Sequence, residues 1–487
     1  MTSSGFTALD WTILVVYLAG TTLLGVWLGR GQKHARDYFV ANGSIPWWAV
    51  LFSIVATETS ALTFISIPGL AYLGDFTFLQ IAAGYLLGRI VIAYTLLPRY
   101  FEGQLVTAYA LLEQRFGLAT RRFASVTFMI TRAFGDSVRL FATAIPVALI
   151  LSGVLPPEWT APAAILVLGA CTVLYTYHGG MRAVVWTDVL QTFVYLGGGI
   201  AALVLIGRGL EGGWANILEI AGPSGKLRIF DLTLGFDRPH TLVAGLLGGG
   251  FLAMASHGAD QIIVQRLLAA GSLKDARLAL IGSGVVVIAQ FALFLLIGVG
   301  LWAYYGNATF ASPDQIFPSF IIDGMPAGMT GVVIAAILAA AMSTMSGSLN
   351  ALAAATLHDL YIPFFGAPDD AKGLKLSRRF TFVWALVLIG GALLYRQQGT
   401  PVVIIALSIA SFTYGGLLGG FFLALFWPRA RQVDAILGMT VGILVMVGVV
   451  RFSGVAWPWF VLIGTSVTLV TGILSSLSHP EPPDAAT

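Results

Sequence analysis

The chain has 487 residues, of which 57% are apolar and only 10% charged. Ordinary soluble domains carry about 25% charged residues, so a soluble globular protein is excluded. A net charge of +3 is too small to suggest nucleic acid, and a single cysteine, Cys171, excludes a disulfide framework or a cysteine-based metal cluster.

Mean hydropathy is +0.87, and apolar runs long enough to cross a ~30 Å hydrocarbon layer recur throughout. An all-α polytopic membrane protein of about thirteen transmembrane helices is predicted, with spans at 9–28, 46–73, 76–97, 121–152, 161–178, 184–206, 240–258, 276–303, 327–361, 379–396, 400–427, 433–451 and 456–476. The fourth and ninth exceed one crossing and must tilt or extend past the bilayer. The start, Met1 to Asp10, has no basic run, so no cleaved signal peptide is expected, nor an appended soluble domain.

Lys and Arg sort the loops. Arg30, Lys33 and Arg36 follow the first span, Arg99 to Arg122 the third, Arg182 the fifth, Arg266 to Arg277 the seventh, Lys372 to Arg379 the ninth, and Arg429 with Arg431 the eleventh. The opposing loops Leu73–Phe76, Gly153–Pro162 and Tyr304–Gly328 are free of both, whereas Arg208–His240 carries four. The expectation is a bacterial-type inner membrane protein with its N-terminus outside and its C-terminus cytoplasmic.

A charge at mid-span costs about 2.5–3.5 kcal/mol, so three polar clusters stand out. Span two carries Ser53, Thr57, Glu58, Thr59, Ser60, Thr63 and Ser66 before Pro68–Gly69. Proline and glycine there argue for a helix that breaks at or near them, freeing carbonyls for a cation or polar solute. Span nine carries Ser343, Thr344, Ser346 and Ser348, hydroxyls that suit a weakly held monovalent cation or, equally, close packing of small residues. In span four, Arg132, Asp136 and Arg139 share one face, either as a solute site or as a structural ion pair. Asp188 is a lone acid in span six, and Gly245 with Gly248–Gly250 suggests a second broken helix in span seven.

These segments resemble the solute:sodium symporter family, whose members adopt the leucine-transporter fold. The likeness rests on Asp37-Tyr-Phe-Val, Trp47-Trp-Ala-Val, Ala56 to Gly69, Gly179 to Gln191, Asp260-Gln-Ile-Ile-Val-Gln-Arg266, Ala339 to Tyr361 and Phe421 to Trp427. It implies two five-helix inverted repeats, over 46–206 and 240–427, with extra helices at 9–28 and 433–476. It also implies a sodium site of Ala56, Thr59 and Ala340 carbonyls with Ser343 and Thr344 side chains. A second sodium would use Asp188, Ser343 and Ser346, where a further hydroxyl position of the family is Gly347 here.

The solute site is expected to draw on Glu58, Ser60, Thr63, Phe78, Gln80, Arg139 and Ser256. Galactose-type members place polar groups where this chain has Ala253, Ser256 and Leu407. In the sialic acid pattern, Ser60, Thr63 and Phe78 match, but the pocket arginine falls on Gly135, the glutamine on Ala82 and a neutral threonine on Glu58. Glu58 has three conceivable partners: an arginine of the Arg132–Arg139 face, the sodium, or a donor on the solute. The last is favoured and would select a hydroxylated or amine-bearing solute.

The expected function is therefore sodium-coupled uptake of a small organic solute by alternating access, the solute being a sugar or sugar acid, an amino acid or an organic acid. One sodium crossing 100 mV gains about 2.3 kcal/mol, roughly fifty-fold accumulation. The alternative is a membrane solute sensor, for which a signalling domain after the last span is expected. An enzyme is not expected, because His178, His257 and His358 form no recognisable site. No obligatory protein partner is evident.

Overall fold

The computed structural model describes residues 6–479 apart from 31, 33, 60, 104, 152–154, 307, 311–312 and 396–401. Its principal elements are α1 (Ala8–Leu28), α2 (Trp47–Glu58), α3 (Ala61–Leu73), α4 (Leu79–Tyr94), α5 (Leu118–Leu151), α6 (Pro157–Arg208), α7 (Gly250–Gly258), α8 (Gln261–Leu268), α9 (Leu273–Tyr305), α10 (Met329–Ala355), α11 (Asp370–Leu394), α12 (Val402–Phe426), α13 (Gln432–Phe452) and α14 (Trp459–Leu477). Among the described residues seven helices are long and apolar enough to cross a membrane, or eight if the bent pair α2–α3 is one span. Two shorter apolar helices, Leu79–Tyr94 and Phe412–Phe426, accompany them.

Helix α10 is the axis of the molecule. Nearly all of its residues are buried, and it packs against α1, α5, α6 and α11. Alanine, serine and glycine along its length let those helices approach without lipid between them. The start of α10 is tied to the start of α1. Asp10, fully buried, accepts the backbone N–H groups of Gly328 at 2.8 Å and Gly331 at 2.7 Å on one carboxylate oxygen. Its other oxygen closes a capping box with Thr7.

The first helix break falls earlier than expected. Span two stops at Glu58, Thr59 is extended (φ −83°, ψ 97°), and the chain turns by 64° into the next helix. Pro68 lies inside α3, which continues through it. A proline forfeits one intrahelical bond, and α9 packs its backbone closely on the Pro68 carbonyl at Gly298, where any side chain would collide.

The second break is displaced in the other direction. Residues Ala244–Gly249 form a π-helical turn that runs directly into α7. The glycines there serve close packing: a Cβ on Gly84 or Gly88 of α4 would strike the carbonyls of Gly245 or Gly250. The break instead comes at Ala259–Asp260, where Asp260 (φ −91°, ψ 125°) caps α8 by accepting the Ile262 N–H at 2.9 Å. Spans five and six are two helices within α6 that meet at Gly180, whose backbone is non-helical (φ +51°, ψ −152°). Only glycine tolerates that conformation at little cost.

Candidate functional site

The polar residues of the interior gather around the two breaks. At the first, Thr59 is buried, and its Oγ1 accepts Nε2–H of Gln290 (α9) at 2.6 Å. Tyr195 (α6) donates its hydroxyl to Oε1 of the same glutamine at 2.7 Å and lies 3.4 Å from Thr59 Oγ1. On the other side of the break, Glu58 forms an ion pair with the fully buried Arg89 of α4. Arg89 is braced in turn by His257 of α7, whose Nε2 accepts from Nε at 3.2 Å. The His257 Nδ1 lies 2.8 Å from Ser256 Oγ.

The expectation that Glu58 awaits a donor on the solute is thereby corrected. Its carboxylate is matched within the protein by an arginine outside the Arg132–Arg139 face, 31 residues along the chain. The preference for an amine-bearing or hydroxylated solute loses its ground with it. Ser256 is engaged with His257 and the Ala253 carbonyl.

A second node forms on Asp188 of α6. One carboxylate oxygen accepts Ser343 Oγ–H of α10 at 2.7 Å. The other accepts Ser53 Oγ–H of α2 at 2.5 Å and Nη2–H of Arg266 (α8) at 2.9 Å. This brings the last turns of α2, with Ala56 and Thr59, beside the Ala340–Thr344 turn of α10. All five residues of the expected sodium site are buried there, and Thr344 hydrogen-bonds its own turn at the Ala340 carbonyl, 3.1 Å away. Ser346 similarly turns back to the Ser343 carbonyl at 3.0 Å. Asp188, expected at a second sodium, is matched here by the Arg266 guanidinium. Gly347 makes this possible: a Cβ there would lie 2.6 Å from the Arg266 guanidinium. Arg266 is fully buried and so does not belong among the loop cations counted for orientation.

The third node is the face predicted on span four. Arg132 ion-pairs Asp260 at the second break and donates to the Tyr414 hydroxyl of α12 at 2.6 Å, while Tyr414 donates to Asp260 at 2.7 Å. Asp136 accepts Ser348 Oγ–H at 2.6 Å and lies 3.5 Å from both Arg132 and Arg139. Arg139 is the most loosely held of these cations, with a quarter of its side chain exposed. Four acids (Glu58, Asp136, Asp188, Asp260) thus stand against four arginines (Arg89, Arg132, Arg139, Arg266) among the described residues of the three nodes.

Two further expectations move elsewhere. Gln80 donates to the His240 carbonyl at 3.0 Å and accepts the Asp231 N–H at 3.3 Å, so it tethers the 208–240 connection. Phe78 stacks edge-on against His240 and Phe291 in a cavity of about 270 Å³ shared with Leu70, Leu73, Asp75 and Thr77. Nearby, Asp75 accepts from Thr77 and from Arg228 at 2.9 Å. Burial opposes ionisation there, but these donors hold its carboxyl below the usual range. Thr63 lies half-buried on α3, and Ser60 lies outside the described residues.

Sequence reasoning passed over Arg89, Tyr195, Gln290 and the role of His257. A lone arginine in the apolar run 76–97 was the available signal, since an unmatched charge does not persist in lipid.

An all-helical bundle with two broken helices whose midpoints hold matched charges and uncharged oxygens is the architecture of a secondary transporter. The chain belongs to the sodium:solute symporter family, whose model matches residues 38–442. It is a sodium-coupled symporter and not an enzyme. It is 29% identical to the sodium/sialic acid symporter NanT of Aliivibrio fischeri, over 98% of this chain and 94% of that one. It is 28% identical to the human sodium/iodide cotransporter, over 90% of this chain and 69% of the relative. Its fold matches a solved substrate-bound, outward-open Na+-coupled sialic acid symporter with a TM-score of 0.88 and 27% identity, covering 98% and 99% of the two chains.

Proposed function

We propose that the chain carries a small organic monoanion, a carboxylate, together with one sodium ion per cycle. The observation that carries this reading is the charge balance of the interior. Each acid of the three nodes has its arginine, so none is left to balance a sodium ion. The ligands assigned to that ion, the carbonyls of Ala56, Thr59 and Ala340 and the hydroxyls of Ser343 and Thr344, are neutral. A cation in a low-dielectric site is most stable beside an opposite charge, and an anionic solute supplies it. Arg139, loosely held by Asp136, is the group assigned to the carboxylate. With Glu58 matched by Arg89, the repulsion that a carboxylate would otherwise meet is removed. The sialic acid relatives and the monocarboxylate transporters that the chain resembles support the same class. One sodium per cycle fits the matching of Asp188 by Arg266.

The chain is further inferred to cross a bacterial-type inner membrane thirteen times with its N-terminus outside, on the loop charges other than Arg266. Its repeats run over 46–206 and 240–427, supported by one break in each. Uptake into vesicles tests the solute class. Monocarboxylates or sialic acid should enter only with sodium, and clamping the membrane potential should leave initial rates unchanged, since one cation and one monoanion move no net charge. Sodium-dependent uptake of a neutral sugar in place of acids overturns the reading.

A further inference from the structure

Beyond the ion ligands themselves, we infer that Gln290 and Tyr195 are positioning residues for sodium: they hold the unwound residue Thr59 so that its carbonyl is ready for the ion. The inference rests on the sodium-site reading above and adds residues outside the ligand set.

Thr59 has left the helix, and its backbone is extended at the break. An unwound residue is free to rotate unless something fixes it, and each rotation an ion must freeze weakens binding. Here the side chain is fixed instead. Gln290 donates to Thr59 Oγ1 at 2.6 Å, and Tyr195 orients that amide by donating to its Oε1 at 2.7 Å. Because the amide oxygen accepts from Tyr195, its nitrogen is committed to donating toward Thr59. All three side chains are buried, Thr59 to 1%, Gln290 to 2% and Tyr195 to 0% residual exposure, where hydrogen bonds are strong and water does not compete. The chain of bonds also joins three elements, α2, α9 and α6, at one point. Glu58, the preceding residue, is gripped from the opposite side by Arg89. The break is therefore held from two directions, and the sodium-facing residue by neutral groups alone. Neutral partners leave the electrostatics of the ion site untouched, which separates positioning from ligation.

The test is a sodium titration of thermal stabilisation on the purified full-length protein, with choline replacing sodium at constant ionic strength. Gln290→Leu keeps the volume and removes both bonds. It should raise the sodium concentration for half-maximal stabilisation about tenfold, with the solute preference unchanged. Tyr195→Phe, the milder variant, should raise it about threefold, and it decides the matter if Gln290→Leu does not fold. In a Thr59→Val background, Gln290→Leu should add little, because the lost bond is shared. Thr344→Ala, which removes a proposed ligand, is the parallel arm. If Thr344→Ala shifts the sodium midpoint and both Gln290→Leu and Tyr195→Phe stay within twofold of wild type, the positioning role is overturned. If Thr344→Ala shifts nothing, the sodium site itself is misplaced and the inference falls with it.

Discussion

The two helix breaks use the same backbone device and opposite chemistry. At the first, the unwound residue is a threonine held by a neutral amide, and the acid beside it is matched by Arg89 from another helix. At the second, the unwound residue is itself an acid. Asp260 caps α8 and also takes the guanidinium of Arg132 and the hydroxyl of Tyr414. The short helix beyond it is held by every polar side chain it owns. Gln261 accepts the Ala108 N–H at 2.7 Å, Gln265 donates to Asn350 at 2.6 Å, and Arg266 reaches Asp188. The seat proposed for sodium must release its ion again, and dipoles, which bind weakly and reversibly, suit that task. A joint that has only to be closed or open can be ionic, because its partners stay in the protein.

The largest effect should follow from breaking the ionic joint. Asp260→Asn removes the carboxylate charge facing Arg132, which keeps the neutral Tyr414 hydroxyl and, as its remaining acid among the described residues, Asp136 at 3.5 Å. Removing one partner of a buried pair costs about 3–5 kcal/mol, so a marked fall in melting temperature without ligand is expected. If the variant melts like wild type, the joint is not what holds α8. A smaller loss, about 1–3 kcal/mol, should follow Glu58→Gln, since the amide still accepts from Arg89 while the charge is gone. Solute affinity measured by calorimetry at saturating sodium should change less than tenfold; a larger drop with an unaltered empty protein would return Glu58 to the solute and erase the contrast between the breaks.

The smallest effect lies outside both. The Asp75 carboxyl is held below its usual range by Thr77 and Arg228. A lowered carboxylate adds stability above the unfolded value, about pH 4, and that contribution is lost as pH falls through the folded value. Asp75→Asn should therefore flatten the acid limb of the stability profile slightly and leave pH 7 sodium affinity alone. An unchanged acid limb would remove Asp75 from the account.

The spans were legible because apolar length is a local property, and α1, α9, α13 and α14 lie within a few residues of their expected limits. The breaks were legible as existing but not as placed. Pro68 and Gly248–Gly250 lower helix propensity, but whether a helix yields there depends on what packs against it. Gly298 and Gly84, far away in sequence, answered that question. The Ser and Thr clusters of spans two and nine pointed to the region around Asp188 from composition alone. The arginine partners did not, since Glu58–Arg89, Asp188–Arg266 and Arg132–Asp260 are tertiary pairings that no periodicity announces. Reading Arg266 as a loop cation was the natural error, because span seven continues past a break that its sequence hides.

The bond between Asp10 and the start of α10 bears on how the chain is made. Its partners Gly328 and Gly331 are synthesised 318 and 321 residues later. At 5–20 residues per second, the first helix waits roughly 15 to 60 seconds for them. During that interval one carboxylate oxygen is occupied by Thr7 within the same turn, and the other has only water or headgroups to turn to. The capping box is local to the start of α1, whereas the bonds to Gly328 and Gly331 need the distant segment. Helix α1 can therefore be tied to α10 through Asp10 only after the segment carrying Gly328 and Gly331 has been made.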